Sequence, residues 1–80
     1  MRLPRDLTGA ALSKALGRVG YQVTRQTGSH LRLTSHFLPQ HHITIPAQDP
    51  LKVGTLAAIL RDVAGQLKTD RDDLLRRLFD

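Results

Sequence analysis

Arg25-Gln26-Thr27-Gly28-Ser29-His30 joins two short runs of alternating polarity. Before it stands Tyr21-Gln22-Val23-Thr24, and after it Leu31-Arg32-Leu33-Thr34. A period of two marks half-buried strands, and the Gly-Ser between them marks a turn. The segment reads as a β-hairpin with His30 at the base of its second strand. Side chains alternate faces along a strand. Tyr21 and Val23 therefore share one face, with Gln22, Thr24 and Gln26 on the other. Leu31 and Leu33 likewise oppose His30, Arg32 and Thr34. A two-residue Thr27-Gly28 turn sets Val23 beside Arg32 and flips the register. A single apolar face thus predicts a three- or five-residue loop, with Gly28 at positive φ.

Working outward, a first helix is expected from near Thr8 to Arg18. Thr8 is its N-cap, Leu12, Ala15, Leu16 and Val19 form its apolar face, and Gly20 is its C-cap. A third strand, His42-Ile43-Thr44-Ile45, follows the Pro39-Gln40 turn signal and stops at Pro46. Its Ile43 and Ile45 oppose His42 and Thr44. A second helix starts near Gly54-Thr55, presents Leu56, Ile59, Leu60 and Val63, and closes at Gly65. The last helix takes Thr69 as N-cap, carries Asp70, Asp72 and Asp73 early and Arg76 and Arg77 late, and turns Leu74, Leu75, Leu78 and Phe79 inward. Phe37 and Leu38 extend the second strand, cap the core edge or meet a partner. The order α-β-β-β-α-α predicts an α+β domain spanning 1–80. Its three-stranded antiparallel sheet has helices packed on one face.

The 80 residues carry a formal net charge of +5 and contain no cysteine. Disulfides and thiolate metal sites are excluded. The N-terminal residues lack an apolar signal core and no run is long enough to span a bilayer, so no membrane association is expected. The charge suits a polyanion. With the apolar residues inward, His30 and Arg32 stand together on the polar face, flanked by Gln22, Thr24, Gln26, Thr34 and Thr44, with His42 nearby.

That face has the parts for cutting RNA, which supplies its own nucleophile, the 2′-OH. Cleavage needs a base for that proton, an acid for the leaving 5′ oxygen and positive charge at the phosphate. His30 is the candidate base or acid, because imidazole trades protons near neutral pH. Arg32 and Arg25 are candidate phosphate holders, the Gly28 and Ser29 amides candidate donors, and His42 a candidate auxiliary proton carrier. Lys52, ahead of the second helix, is a further phosphate contact or a solvated lysine. A strand-end histidine making ordinary surface hydrogen bonds is the plain alternative for His30. His36, His41 and His42 match no standard metal spacing, and no metal or other cofactor is expected.

These segments together resemble the HicA toxin family, the YcfA-like mRNA interferases. Arg25-Gln26-Thr27-Gly28-Ser29-His30 resembles the family's R-Q-x-G-S-H core, and Ile43-Thr44-Ile45-Pro46 its strand ending in proline. Leu51, Gly54-Thr55-Leu56, Ile59-Leu60 and Ala64-Gly65 resemble its L-x-x-G-T-L-x-x-I-L-x-x-A-G stretch. Gly20-Tyr21 is similar to the junction ending its first helix. The resemblance runs from about Leu7 to Leu75 and rests on the ordered set rather than on any one piece. It implies a double-stranded-RNA-binding-domain-like fold and metal-independent endoribonuclease cleavage of mRNA in the cytoplasm. It also implies His30 as catalytic residue and a HicB-like antitoxin as partner in a hetero-oligomer. The chain departs from the family at Gln48, where a histidine is common, at Val53, where proline is common, and across Ser35 to His41. Two other readings stay open: a non-catalytic RNA-binding module using the same basic face, and a protein-interaction domain using a sheet edge or Phe37-Leu38.

Overall fold

The computed structural model describes residues 2–80. Thr8 caps α1 (Gly9–Leu16), its hydroxyl accepting from the Ala11 amide at 3.0 Å. The spacing of Leu12 and Leu16 puts both in the core, fully buried. The expected helix to Arg18 stops as α-helix at Leu16 and tightens into a 3₁₀ turn, Gly17–Val19. Gly20 then reverses the chain at φ 97°, where a Cβ would also meet the Phe37 ring at 3.1 Å.

Strands β1 (Tyr21–Gln26), β2 (His30–Ser35) and β3 (His42–Pro46) form an antiparallel sheet in the order β1-β2-β3. Leu31, Leu33, Ile43 and Ile45 face α1, α2 (Val53–Gln66) and α3 (Arg71–Phe79) in one apolar cluster. From the helices come Leu12, Leu16, Leu56, Ile59, Leu60, Val63, Leu74, Leu75 and Leu78. Burial of each such side chain stabilises by about 1.5–3 kcal/mol, so this cluster sets which sheet face is inside. The helices take that face and leave the other open, the α+β arrangement expected. No helix among the described residues is long and apolar enough to cross a membrane.

Two local expectations are corrected, and the structure chooses between the alternatives left for Phe37. Gly65 does not end α2, which runs to Gln66; the reversal falls to Lys68, at φ 56°. Asp70, not Thr69, caps α3, its carboxylate accepting from the Asp73 amide at 2.8 Å. Thr69 instead donates to the Asp73 carboxylate at 2.6 Å. A carboxylate at the N-cap is favoured over a hydroxyl by the helix dipole. Phe37 caps the core edge, its ring meeting Tyr21 edge-on at 5.6 Å, while Leu38 is exposed and β2 ends at Ser35.

The start of α1 lies against the end of β3. The Gly9 amide donates to the Gln48 carbonyl at 2.9 Å and the Leu51 amide to the Leu7 carbonyl at 2.8 Å. A Cβ on Gly9 would overlap the Pro46 carbonyl oxygen. The Ala47 amide in turn donates to the Ser29 carbonyl at 2.9 Å, tying the hairpin tip to the same junction.

Candidate functional site

The hairpin register departs from the expected parity. Three residues, Thr27–Ser29, separate the strands, but Gln26 pairs with Leu31 and the Thr27 amide donates to the His30 carbonyl. The tip therefore has the even parity of a two-residue turn. The register shifts between Val23 and Arg25, so that Val23 pairs with Leu33 and Arg25 with Arg32. Thr24 is the extra residue of a β-bulge, and the bulge restores the parity that the turn would break. Gly28 is accordingly not at positive φ; among the described residues Gly20 is the only glycine that is.

The bulge changes what the open face presents. Gln26, opposite Leu31, leaves that face and lines a groove beside α1 with Val23 and Ala10. Val23 is 43% exposed there, not sealed in the core. Arg25, expected only near the turn, pairs across from Arg32 and shares its face. Thr24 stays on the open side, as expected, its hydroxyl 2.9 Å from that of Thr34 and 3.4 Å from the Arg32 carbonyl.

Cross-strand pairing arranges the open face in rows. His30 lies opposite Pro46, Arg32 between Arg25 and Thr44, and Thr34 between Gln22 and His42. Successive rows are two residues apart, about 6.6 Å. His30 is exposed, and its Nδ1 lies 2.9 Å from the Ser29 hydroxyl, which leaves Nε2 outward. The Gly28 and Ser29 amides make no hydrogen bond within the described chain. Among the described residues neither Arg25 nor Arg32 has an ion-pair partner, and the strands contain no acidic residue. Two like charges directly opposite destabilise a sheet unless an anion sits between them.

His42 does not meet His30. It stands two rows away, about 13 Å by strand rise, so the two rings cannot serve one phosphate. Lys52 is exposed at the N-cap of α2, in the helical layer, and adds to the cationic surface rather than to these rows. The histidines singled out for metal diverge. His36 is exposed, His42 bonds Thr34, and His41 is enclosed between Tyr21 and Asp62.

The Tyr21 hydroxyl is 2.7 Å from His41 Nδ1, and His41 Nε2 is 3.3 Å from Asp62 Oδ1. An Nε2–H tautomer satisfies both contacts. Burial, with the Asp62 charge adding to it, pushes the Tyr21 phenol up to about 12. This chain fastens α2 to the strand end and lies under the sheet, away from the open face.

Sequence reasoning put Thr24 on the open face but missed that it is the bulge residue, and it missed the Ser29 hydroxyl. The signal for Thr24 was the parity conflict itself, which a bulge resolves as well as a longer loop does.

The family model for the HicA toxin of bacterial toxin-antitoxin systems matches residues 9–64, from the start of α1 through most of α2. The chain has no match among curated proteins or solved structures. The matched span contains the whole sheet and every row of its open face. The chain belongs to the HicA toxin family of bacterial toxin–antitoxin systems, a membership that supports a toxin role and implies a cognate antitoxin.

Proposed function

We propose that the protein is an mRNA-cleaving endoribonuclease that uses the 2′-OH of its substrate, with His30 as catalytic residue. One observation carries this reading. An exposed imidazole stands beside a cross-strand pair of arginines that, among the described residues, no carboxylate neutralises. A phosphate between those guanidiniums relieves their repulsion and gains charge-assisted hydrogen bonds.

In this reading His30 Nε2 takes the proton from the 2′-OH. The 2′ oxygen attacks phosphorus, the bond to the 5′ oxygen breaks, and a 2′,3′-cyclic phosphate forms. The leaving oxygen takes its proton from the imidazolium or from water. Arg25 and Arg32 hold the non-bridging oxygens, whose charge grows in the transition state. The free Gly28 and Ser29 amides add donors, and the Ser29 hydroxyl holds the His30 ring. Gly28 serves by leaving room, since nothing lies within 4 Å of where its Cβ would stand. Lys52 is an outlying phosphate contact. No cofactor enters these steps. The family membership supports a cytoplasmic setting and a HicB-like antitoxin that covers the open face.

The test is a time course of mRNA with wild type and His30→Ala in EDTA. Cleavage by wild type alone, with both proteins equally folded by circular dichroism, is expected. Equal cleavage by His30→Ala would remove His30 from the chemistry. Salt-dependent binding without cleavage by either would favour a non-catalytic RNA-binding module.

A further inference from the structure

The open face carries a second imidazole, in a setting unlike that of His30. His42 is exposed, and its Nδ1 lies 2.9 Å from the Thr34 hydroxyl. Thr34 is only 8% exposed, and its oxygen lies 2.9 Å from that of Thr24, the bulge residue. The Thr24 hydroxyl also reaches the Arg32 carbonyl at 3.4 Å. Three side chains from three strands thus form one hydrogen-bonded ladder across the face.

The ladder can run in either direction. Thr24 can donate to Thr34 and Thr34 to His42 Nδ1, which puts the imidazole proton on Nε2. Alternatively His42 Nδ1–H donates to Thr34, Thr34 to Thr24, and Thr24 to the Arg32 carbonyl, which suits the imidazolium. The first arrangement leaves the N–H on Nε2 of a neutral ring; in the second, Nε2 carries an N–H when the ring is charged and is an acceptor when it is neutral. The nearly buried Thr34 holds the ring by Nδ1 and Nε2 has no partner among the described residues, so an Nε2–H is open to an anion.

Position supplies the second part. The His42 row is one step of about 6.6 Å beyond the arginine row, a step comparable to the spacing of successive phosphates along an extended strand. We infer that His42, positioned by Thr34 and Thr24, binds the phosphate next to the scissile one in a single RNA strand lying along β2. This rests on the proposed cleavage at His30 and adds its substrate class: a single-stranded run with a phosphate beyond the one that is cut. A-form duplex fits less well, because it holds the 2′ oxygen out of line with the leaving oxygen.

The test uses two single-stranded RNA oligonucleotides cut at the same step. One is a dinucleotide, and the other is extended so that the neighbouring phosphate is present. A third substrate replaces that neighbouring phosphate with a neutral methylphosphonate. For wild type, kcat/KM should rise about tenfold from the first to the second, the scale of one exposed charge-assisted hydrogen bond, and fall back with the third. His42→Ala should cut the dinucleotide as wild type does and show neither the rise nor the fall. The substrate-side change needs no variant to fold. A methylphosphonate effect of equal size in wild type and His42→Ala would overturn the assignment while leaving cleavage at His30 intact. Wild type that cuts none of the substrates would overturn both.

Discussion

Replacing Gly9 with alanine should destabilise the protein, although alanine is the better helix former. An added Cβ would overlap the Pro46 carbonyl oxygen and stand 3.1 Å from the Pro46 carbonyl carbon and 3.3 Å from the Ala47 Cα. All three are backbone atoms and cannot rotate away. Helix α1 must withdraw by about 1 Å to restore ordinary contact distances. That movement stretches the bond from the Gly9 amide to the Gln48 carbonyl, worth about 1 kcal/mol, and strains the packing by about 1–3 kcal/mol. Helix propensity returns at most about 1 kcal/mol, leaving a net loss of about 2 kcal/mol. For a chain of this size the melting temperature should fall by about 8–16 °C. Gly65→Ala is the matched control, since nothing lies within 4 Å of its added Cβ, and it should gain about 0.5–1 kcal/mol. Thermal and urea unfolding followed by far-UV circular dichroism measures both. A Gly9→Ala protein as stable as wild type would refute the close approach of α1 to the end of β3.

Three further outcomes follow from single contacts. Tyr21 holds its proton to about pH 12 when folded, against an ordinary value of 10, so the neutral phenol stabilises the fold below pH 10. That contribution, about 2–3 kcal/mol, should disappear as pH rises from 10 to 12, and urea midpoints of Tyr21→Phe should lack this alkaline decline. The Thr69 hydroxyl first, and then Arg77 and Arg76, hold the Asp73 carboxyl below its usual range. Its stabilisation is therefore present above the ordinary aspartate value and lost as pH falls through the lowered one, and Asp73→Asn should flatten the acid limb of the stability curve. Gly28→Ala should leave unfolding unchanged or slightly improved but weaken RNA cleavage, measured as kcat/KM; unchanged cleavage would show that RNA does not approach that amide.

The elements were legible because their signals are local. Leu12 with Leu16, Leu56 with Leu60, and the alternation of Leu31, Leu33, Ile43 and Ile45 each state a period that tertiary packing then used. Element ends were less legible, since Asp70 competes with Thr69 for one cap and Lys68 takes a conformation usually left to glycine. The site was half legible. The parity of Leu31 and Leu33 already put His30 and Arg32 on one face, but Arg25 reaches that face only through the bulge at Thr24. A bulge depends on how the turn and the core compete for register, and no single residue announces it. The gap between His30 and His42 likewise needs the pairing of β2 with β3, which alternation alone does not supply.

The central claim is that an uncovered His30 beside Arg25 and Arg32 turns the substrate's own ribose hydroxyl on its phosphate. Its most direct test is to place a single 2′-deoxynucleotide at the mapped cut site and to identify the ends of the wild-type products by mass spectrometry. Cleavage should vanish at the deoxy position alone, and the all-ribose substrate should yield 2′,3′-cyclic phosphate and 5′-hydroxyl ends. Continued cutting at the deoxy position, leaving a 5′-phosphate, would contradict the account.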